Sequence, residues 1–143
     1  MPTVHKDFHG CLSCGLKFLA ENYGRAEVEA YLRRVARNVY SPLIESLRRQ
    51  GLSALRNHWD NIMALEGADF DLSLENGVLV LEVRRCPAIH HMKAHDYEVC
   101  EHFCESTRIV NDEVCRQAGY ASSTEYDQED GRCVQRFWKE ADK

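Results

Sequence analysis

The chain has 143 residues, a length suited to one domain spanning 1–143. Such a domain buries roughly two-thirds of its unfolded surface and needs no disulfide staples. A formal charge of -5, with Lys/Arg and Asp/Glu mixed along the chain, argues against a nucleic-acid or anionic-membrane surface.

No apolar run approaches the roughly 20 residues that cross a bilayer, and MPTVHKDFHGC at the N-terminus has no apolar signal segment. The expected location is the cytoplasm. The expected partner is a small-molecule substrate, with no nucleic acid and no membrane, and a homo-oligomer is left open. Seven cysteines are many for this length and cannot all pair internally, so in a reducing compartment they read as thiols or ligands before disulfides.

In chain order, residues 10 to 23 place Leu12, Leu16, Leu19 and Tyr23 on one helical stripe that Gly24 ends, with Cys11 and Cys14 pointing away from it. A second helix is expected from about Ala26, breaking before Pro42. A third runs from Pro42 to Arg49, and a fourth from Leu52 to Leu65 is closed by Gly67. The period then changes to two. Phe70, Leu72 and Leu74 are expected to face Val83, Leu81 and Leu79 across an Asn76-Gly77 hairpin turn.

A link containing Cys86-Pro87 leads to a long helix predicted over Asp96 to Ala118, stopped by Gly119. A second strand pair follows, near 120–127 and 132–138, reversing at Asp130-Gly131. The expected fold is α+β: N-terminal helices and one long late helix packed on an antiparallel sheet built from two hairpins.

On the late helix, Cys100, Cys104, Asn111 and Cys115 form one stripe beside the apolar Val99, Phe103, Val110 and Val114. Small buried packing residues and a thiol-lined site are both open readings of that stripe. Cys133 shares a strand face with Gln135 and Phe137, and Cys86 follows the first hairpin. Cys11-x-x-Cys14 at a helix start is a local pair of the kind that zinc and redox sites use, but no second CxxC follows and no strand precedes it. These ligand types suit zinc or another divalent metal, with Cys104, Cys115, Cys133, Cys11 and Cys14 as metal candidates. His90 and His91, in CPAIHHMKAH, are read as lying on an irregular connection, with at most one reaching a given site. Phosphate-loop, dinucleotide, nucleophile-elbow and zincin motifs are absent.

The blocks HGCLSCGLKFLAENYG, CPAIHH, HFCESTRIVNDEVCRQAGY and EYDQEDGRCVQRFWK resemble the L-2-amino-thiazoline-4-carboxylic acid hydrolase family over most of the chain. The final third also resembles the 4-vinyl reductase domain, a small-ligand-binding α+β module, although Cys115 and Cys133 stand further apart than in that pattern.

The first resemblance implies hydrolytic opening of a cyclic amidine in a cysteine-derived acid. That reaction needs an activated water or thiolate, a proton donor and a cation for the carboxylate. The expectation is a pocket of Cys86, His90, Cys104, Cys115 and Cys133. Within it Cys86, His90 and Cys104 are the catalytic candidates, and Arg108 and Asn111 bind substrate. Arg108 also reads as an ordinary solvated arginine. The alternatives are a small-ligand or metal-binding sensor module without turnover, suggested by the final third, and a thiol redox or iron-sulfur protein, suggested by the cysteine count.

Overall fold

The computed structural model describes residues 4–141. Four helices come first: α1 (Asp7–Tyr23), α2 (Arg25–Val39), α3 (Ser41–Gln50) and α4 (Leu52–Glu66). Gly24 and Gly51 stand at two of the three helix junctions and Gly67 ends α4; Gly51 and Gly67 adopt positive φ values of 72°, where a side chain would be strained. A hairpin of β1 (Asp69–Glu75) and β2 (Val78–Arg85) follows, then α5 (Pro87–Ala94), α6 (Phe103–Ala118) and a second hairpin of β3 (Tyr120–Asp127) and β4 (Arg132–Lys139). The fold is α+β, as expected.

The four strands form one antiparallel sheet in the order β1-β2-β4-β3, so the two hairpins meet along β2 and β4. Phe70 pairs with Val83, Leu72 with Leu81 and Leu74 with Leu79. The alternation dictates this register, because a slip of one residue would expose the whole apolar set. On the inner face, Leu81 lies beside Gln135, which lies beside Thr124; one row along, Val83 lies beside Cys133, which lies beside Tyr126. On the outer face Arg84 holds Asp69 and Asp71, at 2.7 and 2.5 Å.

Helices α4 and α6 cover the inner face. Leu47, Leu55, Leu79, Cys115 and Phe137 make one buried cluster there, and Leu16, Val28, Leu32 and Ile109 make another between α1, α2 and α6.

Two expectations are corrected. Residues 87–94 are helical, because Pro87 sits at the first helical position, where its missing N–H costs nothing and its fixed φ suits the helix. The late helix starts at Phe103, seven residues after Asp96. Asp96 takes a left-handed φ of 57°, and Ser13 on α1 captures the following loop: its hydroxyl donates to Glu98 O at 2.8 Å and accepts from Cys100 N–H at 2.7 Å. Cys100 therefore lies off the helix, outside the proposed stripe.

Candidate functional site: an apolar cavity with a thiol wall

Between the sheet and the helices lies a cavity of about 360 Å³. The sheet contributes Val83, Thr124, Cys133, Gln135 and Phe137 as its roof. Trp59, Met63 and Leu55 of α4 and Val110, Asn111 and Val114 of α6 form the walls, and Phe8, His9 and Leu12 of α1 close one end with Pro87 and Ala88 of α5. The lining is predominantly apolar. Its size falls within the roughly 300–1,000 Å³ of ordinary ligand pockets and well above the roughly 150 Å³ that holds a benzene.

The first turn of α1 is pinned on both sides. His9 Nε2 lies 2.6 Å from Glu66 Oε1 on α4, a buried contact. Asp7 Oδ1 meets His91 Nε2 at 2.9 Å and accepts a 2.9 Å hydrogen bond from Tyr97 O–H. Hydrogen bonds from His91 and Tyr97 hold the Asp7 carboxyl below its ordinary pKa. Gly10 is needed where Tyr97 crosses α1, since a Cβ there would come within 3.0 Å of the ring.

Three thiols from separate elements line the cavity: Cys86 at the start of α5, Cys104 in the first turn of α6, and Cys133 on β4. Burial, with smaller contributions from the neighbouring Cys86 and Cys133, pushes the Cys104 thiol up to about 12. Burial raises Cys86 too, offset in part by backbone N–H groups of Ala88 and Ile89 at the α5 N-terminus. Cys133 is raised by burial against a 3.3 Å hydrogen bond donated by Gln135 Nε2. Burial thus favours the protonated, less nucleophilic thiol at all three positions.

A buried amide pair adjoins them. Asn111 Nδ2 donates to Gln135 Oε1 at 2.7 Å, both side chains being buried. Among the described residues, two shielded side-chain polar atoms lack a hydrogen-bond partner, Trp59 Nε1 and Thr124 Oγ1, and both residues line the cavity. Gln128 fastens the thiol wall: its Oε1 accepts from Cys104 N–H at 3.0 Å and its Nε2 donates to Cys100 O at 2.9 Å.

The remaining site candidates lie elsewhere. Cys115 is buried in the core cluster with Phe137 and Leu79 and is held at about 12, chiefly by burial. Cys11 and Cys14 are exposed on α1. His90 lies against Gly131, outside the cavity lining; burial, then the charges of Arg85 and Lys93, lower its pKa. Arg108 is also outside the lining and is engaged by Glu105 at 2.5 Å. Of the sequence candidates, the structure thus brings Cys86, Cys104, Cys133 and Asn111 to one cavity. Sequence reasoning missed Trp59, Thr124 and Gln128; for Thr124 the signal was its place on the inner face of β3.

No protein-family model matches the chain, and no curated protein matches it. Among solved structures, the chain is similar to a trafficking protein particle complex subunit 3 from Naegleria fowleri covalently bound to palmitic acid, at 13% identity and a TM-score of 0.44, over 94% of this chain and 96% of that one.

The hydrolase and zinc expectations are corrected. The catalytic and substrate-binding set expected of the hydrolase is not assembled, since His90 and Arg108 lie outside the cavity lining. Among the described residues no three His, Cys, Asp or Glu side chains are gathered as a metal ion requires. The cavity thiols are spread over three elements, and the expected substrate-binding cation, Arg108, is engaged by Glu105 outside the lining. Among the described residues no helix is long and apolar enough to cross a membrane.

Proposed function

We propose that this chain is a binding domain that holds one apolar small molecule, a hydrocarbon chain or ring system, in its interior. The observation that carries this reading is the cavity of about 360 Å³ with its predominantly apolar lining. A void of that size deprives its lining of dispersion contacts, a cost that an occupant removes. The resemblance of the final third to the 4-vinyl reductase module agrees with such a role. Palmitic acid, bound covalently to the Naegleria fowleri subunit, is a molecule of the same apolar class, but the proposal stands on this chain's own cavity. Seven free thiols, two of them exposed, suit a reducing compartment, and we place the protein in the cytoplasm.

The test is native mass spectrometry of the purified chain together with titration of N-phenyl-1-naphthylamine, an uncharged apolar fluorophore. The expected result is 1:1 occupancy with emission enhancement, both lost in Val110→Phe, which fills the cavity from α6, while the circular dichroism spectrum is retained. Absence of any bound species and of probe binding in the wild-type chain overturns the proposal.

A further inference from the structure

The cavity has a neighbour. Helices α3 and α4 are joined at Gly51, and a groove between them is lined by Ser46 and Gln50 from α3 and by Ala54, Asn57 and Asn61 from α4. At 100° per residue, Ala54, Asn57 and Asn61 share one face of α4; Leu55, Trp59 and Ile62 share the next, which lines the cavity, and His58 falls between the two. Tyr40, Leu43 and His58 line both spaces. The rings of Tyr40 and His58 meet edge to face with centroids 6.2 Å apart, so side chains form the partition there. Parting two rings asks for rotamer changes, which run far faster than helix motion.

The two spaces differ in character. The cavity lining is predominantly apolar, whereas the groove offers the exposed amides of Gln50, Asn57 and Asn61 and the hydroxyl of Ser46. Each amide carries both donors and an acceptor, so the set serves hydroxyls and carbonyls alike. Charge is missing from it. With 29% of the chain charged, ten lining residues would ordinarily carry about three charges; among the described residues that line the groove, none is Asp, Glu, Lys or Arg. Burial lowers the pKa of His58, which keeps that ring neutral. On the cavity side, Glu66 is taken by His9 at 2.6 Å. An ionic head in the groove would give up part of its water for no countercharge, while an uncharged polar head exchanges its hydrogen bonds with water for hydrogen bonds with the amides.

We infer that the occupant is an amphiphile with an uncharged polar head: its apolar part fills the cavity, its head lies on the amides of the α3–α4 groove, and the two join between Tyr40 and His58. This deepens the reading under Proposed function and rests on it. The chemical class is that of alkyl glycosides, monoacylglycerols and fatty amides, whose heads carry hydroxyl or amide groups and no charge.

The experiment displaces bound N-phenyl-1-naphthylamine with decyl glucoside, 1-decanoylglycerol, decanoate and decylammonium at pH 7.5, all below their micelle concentrations. The glucoside and the glycerol ester are expected to displace the probe at concentrations at least about fivefold below those of either ion, the worth of one net hydrogen bond. Asn57→Ala combined with Asn61→Ala should raise the glucoside concentration about fivefold and leave the affinity of the probe, which has no such head, unchanged. Asn61→Asp should improve decylammonium about threefold and weaken decanoate by as much, a swap that a merely structural residue would not produce. Displacement by either ion at the glucoside's concentration, or an undiminished glucoside preference in the double variant, overturns the inference and leaves the apolar-ligand reading standing. Failure of the wild-type chain to bind the probe overturns both.

Discussion

Helix α6 separates two buried polar regions that are built on opposite principles. Towards α2 it presents Glu113, whose side chain has 0% exposure. Arg116 grips this carboxylate at 2.6 Å, Gln117 donates to it at 2.8 Å, and Arg33 and Arg37 stand at 3.4 and 3.5 Å. Arg33 carries the network on to Asp112 and Glu29, at 2.9 Å each. Towards the sheet the same helix presents Cys104 and Asn111 to a void whose rim of polar atoms is incompletely paired. A buried group with every valence met fixes two helices together; buried groups left unpaired add nothing to that grip. The difference separates a polar cluster that holds the fold from one that contributes little to holding it.

The sharpest test of that contrast is thiol chemistry. Held near 12, Cys104 has roughly one thiolate in ten thousand at pH 8, so its alkylation in the folded protein should run about a thousandfold slower than that of an ordinary thiol. Peptide mapping after brief iodoacetamide treatment should find label on the exposed Cys11 and Cys14 and none on Cys104 or Cys115. Rapid labelling of Cys104 would mean that the wall is open and electropositive.

Next comes Glu113→Ala, which should cost about 3 kcal/mol in denaturant unfolding, because it removes charge-assisted hydrogen bonds from a filled site. A loss below about 1 kcal/mol would show that the network is decorative.

The acid limb of stability follows from the same group. Burial pushes the Glu113 carboxyl up, but hydrogen bonds from Arg116 and Gln117 and the charges of Arg116 and Arg37 outweigh it, so the folded-state pKa lies below the ordinary 4.5. The unfolded chain then binds more protons in that range. The stabilisation is present above about pH 4.5 and is lost as pH falls through the lower folded value. Urea titrations between pH 6 and 3 should show a slope that Glu113→Gln flattens.

The smallest effect belongs to the open side. Thr124→Val removes a hydroxyl with no partner, so stability should stay unchanged or rise by up to about 1 kcal/mol, measured by urea unfolding. A loss larger than about 1 kcal/mol would place Thr124 among the structural groups.

The sheet was legible because its determinants are local. An Asn-Gly turn flanked by alternating apolar residues sets the register of β1 and β2 by itself, and Gly131 does similar service for β3 and β4. The start of α6 was not legible, because residues 96–102 carry no breaker other than a left-handed Asp96 and are shaped by Ser13, more than eighty positions away. α5 was legible in principle: an extended Cys86 followed by Pro87 is a helix start. Part of the thiol set was correctly placed, since Cys133 and Gln135 do share a strand face and do touch. The cavity itself has no signature in the sequence. Emptiness is what remains after side chains from nine helices and strands have packed, and no residue type encodes it.

Gln128 carries a consequence for the order of assembly. The first turn of α6 has no side-chain cap of its own, and the amide that secures it lies in the reversal between β3 and β4, 24 residues downstream. During synthesis the helix leaves the ribosome before its fastening exists. The Cys104 amide should therefore remain open to solvent exchange until the last hairpin closes, and in the finished protein it should open together with that hairpin rather than with the neighbouring turns of α6.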